Sequence, residues 1–415
     1  MNEIERIIAK HAGVDSVKPG EIVEVEVDLV MTNDGTTALN IDIFENQLGC
    51  DKVWDNEKLI MIMDHYIPSN TIAAANSHKI MREFGVKNNL KYVYDGVGVC
   101  HQLMLEKHVE PGQLIIGADS HTCSYGSVGA LSTGMGSTDI AVSWMDGRTW
   151  LKVPETIKII LDGEIPKGVY AKDMILKIIA DMTAKGATYK AVLFEGTAVE
   201  AMSISERTTL CNMVIEAGGK FAYIKPDDKV REYMAAQGRE VDFDDEECTD
   251  GEYEQIINYD VSEIEPQIAC PHTVDNVCDL SEVEGMEIDE FFIGACTNGR
   301  YEDLEVAAAI LKGKTIAPNV RLIVTPASRE IYKKAAREGL LEIFMDAGAM
   351  ISNPSCGTCF GSEGLLGDGE RLLSTANRNF IGRVGSKDGF IYLASPAVVA
   401  ASAITGKISD PREVL

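Results

Sequence analysis

At 415 residues the chain is long enough for two or three domains of roughly 150 residues, each with a core of its own. Its 45% hydrophobic and 25% charged residues are the composition of a soluble globular protein, not of a disordered or membrane-spanning one. The formal charge of −27 repels nucleic acid and anionic lipid and excludes both as expected partners; any anionic substrate has to be gripped by local arginines.

The opening MNEIERIIAKHAG lacks the charged start, apolar middle and cleavage site of a signal peptide. It predicts an amphipathic helix, with Ile4, Ile7 and Ile8 on one face and Gly13 as its stop. Short β-rich runs then alternate with helical stretches, the signature of α/β layers. Strands are predicted over 21–30, 59–64, 113–119 and 321–326, and helices over 171–185 and 304–313. Proline-flanked KVPETIKIILDGEIPKG at 152–168 reads as the opening of a new domain. The acidic run 242–254 reads as a solvated connector, because its spacing fails the EF-hand pattern, and 266–277 reads as a linker after it. The apolar stretch 394–404 is too short and too rich in serine to cross a bilayer.

Ten cysteines without a secretory signal point to a reducing, cytoplasmic setting and free thiols. Cys50, Cys211 and Cys248 sit in ordinary sequence and read as buried small hydrophobes. Polar motifs follow predicted strands, where α/β proteins carry their sites: MDH at 63–65, GVGVCHQ at 96–102, GADSHTCSYG at 117–126, GACTNGR at 294–300, NPSCGTCFG at 353–361 and TANRNFIGRVG at 375–385. His65 follows Asp64 and His121 lies two residues after Asp119, and a carboxylate beside an imidazole suits a general acid. His101 stands between the functional and structural readings, whereas His11, His78 and His108 read as structural. The DSH run lacks the G-x-S-x-G elbow of a serine hydrolase. The glycines of 125–139 match a dinucleotide loop only in part, and they read as packing and turn glycines.

NPSCGTCF contains the one C-x-x-C of the chain. A thioredoxin-type dithiol opens a helix after a strand, whereas the proline and glycines here describe a loop. A structural zinc wants a second close pair of ligands, and Cys270, His272 and Cys278 lie in the predicted linker. Cys296 in GACTNGR is the better partner. Three cysteines on two loops can hold three irons of a cubane, leaving the fourth iron as an open Lewis acid. On chemistry alone this outranks zinc without displacing it.

GACTNGRYEDL, NPSCGTCFG, GADSHTCSYG and NRNFIGRVG together resemble the large subunit of the aconitase and isopropylmalate isomerase family, and SERTTLCNMVIEAGGK adds Asn212 and Glu216. The resemblance covers essentially the whole chain. It implies three α/β/α domains around an iron–sulfur cluster, at 1–153, 154–275 and 276–415. It implies that Cys296, Cys356 and Cys359 bind a [4Fe–4S] cluster with one labile iron. It pairs Asp64 with His65, His101 with Glu216, and Asp119 with His121, and it gives Ser120, Asn212, Arg378 and Arg383 to the substrate, a small hydroxy di- or tricarboxylate. The implied reaction is reversible removal of water, most closely the interconversion of 2- and 3-isopropylmalate in leucine synthesis, with homoaconitate, dimethylmalate or citramalate as alternatives. An RNA-binding cluster sensor is disfavoured by the charge. Nothing in the chain resembles the family's swivel domain, so a separate small subunit is expected to supply the base serine and the specificity loop.

Overall fold

The computed structural model describes residues 1–243 and 251–415, so Cys248 and most of the acidic run lie outside the described residues. Besides one two-stranded antiparallel sheet, three larger sheets occur in chain order. The first has five parallel strands, in the order Tyr92–Asp95, Leu59–Met63, Leu29–Asn33, Leu114–Gly117, Leu131–Gly134. The second has four parallel strands, Phe221–Ile224, Ala191–Glu195, Thr156–Asp162 and Gln255–Asp260. The third has seven. Its parallel part runs Phe390–Leu393, Arg371–Ser374, Glu290–Ile293, Arg321–Val324, Met350–Ile351, and the antiparallel hairpin Gln267–Ala269 and Val277–Asp279 extends one side. Leu59–Met63 and Glu290–Ile293 are buried at every position, as strands covered by helices on both faces must be.

The N-terminal helix forms as predicted, over Glu3–Ala12. Asn2 and Glu5 make a reciprocal capping box at its start, and Gly13 ends it in the left-handed conformation. Other expectations need correction. The run 21–30 is two strands: Ile22–Glu26 pairs antiparallel with Arg148–Lys152, and Leu29–Asn33 enters the first sheet. The break falls at Asp28, whose Oδ2 accepts the Leu114 N–H at 2.8 Å and meets His11 at 2.8 Å. The helix from Ala171 stops at Met182, because Thr183 turns to φ +65°. The predicted linker 266–277 is mostly the hairpin of the third sheet, which straddles the expected boundary at 275/276. The C-x-x-C is not wholly a loop, since Gly357–Phe360 closes one helical turn. The glycines of 125–139 pack closely: a Cβ at Gly126 would lie 2.0 Å from Ala222 O, and one at Gly134 2.5 Å from Asp119 O.

The sheets share cores. One hydrophobic cluster joins strands of the second and third sheets with Cys356 and Cys359, and another joins the first sheet to Leu193 and Phe221 of the second. Around this frame the carboxyl ends of the first and third sheets face one cavity. Asp34, Asp64, His65 and Asp119 follow strands of the first sheet, and Cys296 and Asn377 follow strands of the third. Side chains gathered beyond the carboxyl ends of parallel strands are the usual place for α/β chemistry.

Candidate active site

His65, His101, Asp119, His121, Cys296, Cys356, Cys359, Arg378 and Arg383 line a cavity of about 80 Å³. The other expected residues, Asp64, Ser120, Asn212 and Glu216, each hydrogen-bond a side chain that lines it.

The first sheet supplies the histidines. Past strand Leu59–Met63 the chain turns over Asp34, whose Oδ1 accepts the backbone N–H groups of Asp64 and His65 at 3.0 and 2.8 Å. Asp34 Oδ2 accepts the N–H of Tyr66 at 3.0 Å, and buried His78 meets the same oxygen at 2.7 Å. On this platform His65 donates Nδ1–H to Asp64 Oδ1 at 2.8 Å, which leaves Nε2 for the cavity, 3.6 Å from Asp119 Oδ2. Asp64 Oδ2 accepts the Cys100 N–H at 2.7 Å, so both of its oxygens are committed. Burial alone would push the His65 imidazole down, but Asp64 and Asp119 override it and hold it well above its ordinary value. An imidazole anchored at one nitrogen and kept protonated is built to release a proton from the other.

The remaining histidines exchange the partners expected for them. His101 Nε2 meets Asp119 Oδ1 at 2.9 Å, and His121 Nε2 meets Glu216 Oε1 at 2.9 Å. Asp119 caps the helical turn Ser120–Val128 and accepts the backbone N–H of His121 at 2.8 Å. That bond fixes where the His121 ring starts, and its Nε2 reaches Glu216, one turn beyond helix Ile204–Met213. Glu216 Oε1 also accepts Arg378 Nε–H at 2.8 Å, and Arg378 Nη2 donates to Ser120 Oγ at 3.0 Å. Burial opposes the charge of Glu216, but His121 and Arg378 hold its carboxyl below the usual range. Asp119 is held well below that range by His101, His121 and His65, again against burial. The ligand atoms of His101, Asp119 and His121 lie within 4.8 Å of one another, close enough for a metal ion, yet they already hydrogen-bond each other and Glu216.

The third sheet supplies the thiols. Cys296 follows Ala295, which is fully buried at φ +68°, a left-handed conformation costing a residue with a Cβ about 1 kcal/mol or more. At Gly357, φ +44°, a Cβ would lie 2.4 Å from Glu363 Oε1, so the left-handed turn between Cys356 and Cys359 favours glycine there. The sulfurs are surrounded by donors. Asn212 Nδ2 reaches Cys296 Sγ at 3.2 Å, Asn377 Nδ2 reaches it at 3.5 Å, and Arg383 Nη2 lies 4.0 Å from Cys359 Sγ. Burial pushes the Cys296 thiol up to about 12. Cys359 and burial push the Cys356 thiol well up, whereas Cys356 and the Arg383 guanidinium hold the Cys359 thiol well down.

These surroundings fit a thiolate-bound iron–sulfur group. Three buried sulfurs border one cavity, amide and guanidinium N–H groups point at them, and the buried hydroxyls of Ser355 and Thr358 have no partner among the described residues. Such hydroxyls are free to donate to inorganic sulfide.

Several residues of the site carry no motif signal of their own. Asp34 and His78 brace the His65 turn, Tyr125 lies 3.2 Å from His101 Nδ1, and Asn377 bridges Cys296, Thr297 and Asn212. Asn377 could have been found, since it lies in NRNFIGRVG beside Arg378. Asp34 could not, because its partners are backbone groups 30 to 32 residues away.

Comparison with known proteins matches the sequence to the aconitase family (aconitate hydratase) over residues 5–284 and 281–406. A relative from Archaeoglobus fulgidus, named 3-isopropylmalate dehydratase large subunit 1, is 50% identical over 99% of both chains. One from Methanothermobacter thermautotrophicus, named probable methanogen homoaconitase large subunit, is 47% identical over 100% of this chain and 98% of its own. The crystal structure of Thermococcus kodakaraensis aconitase X in its holo-form has a TM-score of 0.54 over 93% of this chain and 92% of that one; at 12% identity the likeness is one of fold. Full-length identity near one half and a family match spanning nearly the whole sequence agree with the motifs and the layered sheets: the chain belongs to the aconitase family.

Proposed function

We propose that the chain is the large subunit of a hydro-lyase that interconverts 2- and 3-isopropylmalate by removal and re-addition of water, working in the reducing cytoplasm with a separate small subunit. The observation that carries this reading is the meeting, in one cavity, of three buried cysteines, two arginines and histidine–carboxylate pairs. The choice of isopropylmalate follows the names of relatives near 50% identity.

Cys296, Cys356 and Cys359 are the proposed ligands of a [4Fe–4S] cluster, which when bound supplies a Lewis acid at its one iron without a cysteine. The chain's own residues do the rest. Arg378 and Arg383 bind the substrate carboxylates; the Nε of Arg383 is buried and has no partner among the described residues, so it has a donor to offer. Ser120 and Glu216 set the angle of Arg378. His65 delivers its Nε2 proton to the departing hydroxyl and takes it back on re-addition, while Asp64 stabilises the imidazolium. His101 and Asp119 hold the wall facing it. The base that removes the carbon-bound proton comes from the small subunit.

The test is anaerobic purification, iron and acid-labile sulfide analysis, and assay with a small subunit against 2-isopropylmalate and homocitrate. About four irons and four sulfides per chain with turnover of isopropylmalate are expected. Zinc without sulfide would overturn the cluster, and preference for homocitrate would move the assignment to the homoaconitase reading that the Methanothermobacter relative favours.

A further inference from the structure

Lys172 is fully buried, yet its ammonium has no carboxylate within salt-bridge distance among the described residues. It sits in the first turn of helix Ala171–Met182, where the helix dipole opposes a cation. Burial pushes it down to about 7 against the pull of Cys359, Asp303 and Cys296, so near neutral pH its charge depends on the anionic groups around it. Its neighbour Asp173 gives it little relief. That carboxylate accepts the backbone N–H groups of Tyr170 and Gln267 at 2.9 Å each, and burial pushes it up to about 7.

What Lys172 does touch is the segment that enters the site. Its Nζ donates to the carbonyl oxygens of Thr375 and Ala376, at 2.9 and 2.6 Å. Those two peptides lead directly into Asn377, which donates to Cys296 Sγ, and Arg378, which is held by Glu216 and Ser120. The Thr375 hydroxyl in turn accepts the Gly294 N–H at 2.9 Å and donates to Gly294 O at 3.1 Å, two residues before Cys296. One ammonium on the second sheet's helix therefore fixes the strand end from which a sulfur donor and a substrate arginine both depart, next to a loop bearing a thiol.

We propose that Lys172 is a positioning residue of the active site, holding the Thr375–Ala376 carbonyls so that Asn377 meets Cys296 and Arg378 enters the cavity, and offsetting with its charge the negative charge of the cysteine thiolates. The proposal rests on the reading of Cys296, Cys356 and Cys359 as cluster ligands.

The test compares reconstituted wild-type chain with Lys172→Met, Lys172→Gln and Lys172→Arg, reading iron and sulfide content and the cluster's midpoint potential by EPR-monitored titration. Far-UV circular dichroism of the cluster-free proteins checks folding, and Lys172→Gln keeps an amide donor in case Lys172→Met fails to fold. Met and Gln should lower the midpoint potential, because a nearby positive charge that favours the reduced cluster is gone, and Met should also retain fewer irons after gel filtration. Arg should return the potential toward the wild-type value. A purely structural lysine would lower thermal stability and leave the potential of the neutral variants at the wild-type value, and that outcome overturns the proposal alone. Failure of the wild-type chain to assemble a cluster overturns both the proposal and the reading beneath it.

Discussion

Three consecutive backbone N–H groups converge on the two oxygens of Asp34, and His78 meets the same carboxylate from its helix. Burial would raise this carboxyl, but His78, His65 and the backbone donors bring it down to about 2. A carboxylate depressed from about 4 to about 2 contributes about 2 kcal/mol, present in full above pH 4 and lost as pH falls toward 2. The wild-type chain should therefore lose stability across that window more steeply than Asp34→Asn, measured by urea unfolding at a series of pH values. Equal slopes would mean that folding does not lower the pKa of this carboxylate. His65 gives the companion prediction. Its raised value keeps it protonated above neutrality, so its acid function is intact at low pH and fails as pH rises through that value. His65→Ala should keep the cluster and lose about 10²- to 10⁴-fold in kcat with the small subunit present, and the alkaline fall in rate should vanish. A variant with near-normal kcat would place the acid elsewhere.

At the scale of elements, the strands were readable because runs such as LIMIM are apolar on both faces, a pattern that only a covered parallel strand requires. The break inside 21–30 was not, since nothing in EVEVDLV shows that Asp28 will leave the strand to bind Leu114 and His11. The hairpin of 267–279 was hidden for a related reason: its strands are three residues long, and the segment between them carries the Pro271 and Asn276 of an ordinary loop. In the site, the cysteines and arginines lie in distinctive short motifs, whereas the partners of His101 and His121 depend on a cap at Asp119 that spacing does not reveal. The loop from Gly294 to Cys296 yields a sharper expectation. Its backbone is strained at Ala295 and its sulfur is met by two asparagines, so the position of that sulfur is fixed. Cys296→Ser should fold and abolish cluster assembly, seen as loss of the visible charge-transfer absorption and of labile sulfide. An intact cubane spectrum in that variant would remove Cys296 from the ligand set.

For the whole molecule, the described residues place His65, Arg378 and Arg383 around one cavity whose lining holds no serine. The chain alone should turn over isopropylmalate at a small fraction of the rate seen after adding a small subunit. Equal rates would show that the base lies within this chain. The site is also collected from distant stretches. His65, His101, Asp119 and His121 come from the first third of the sequence, Lys172, Asn212 and Glu216 from the middle, and the thiols, Asn377 and the arginines from the last third. As the chain leaves the ribosome, the histidines and Asp119 emerge early, and the last of the three thiols emerges only at Cys359. The segment that steadies those thiols, with Asn377 and Arg383, comes later still. If these three thiols hold the cluster, its last ligand becomes available only after most of the polypeptide has been made.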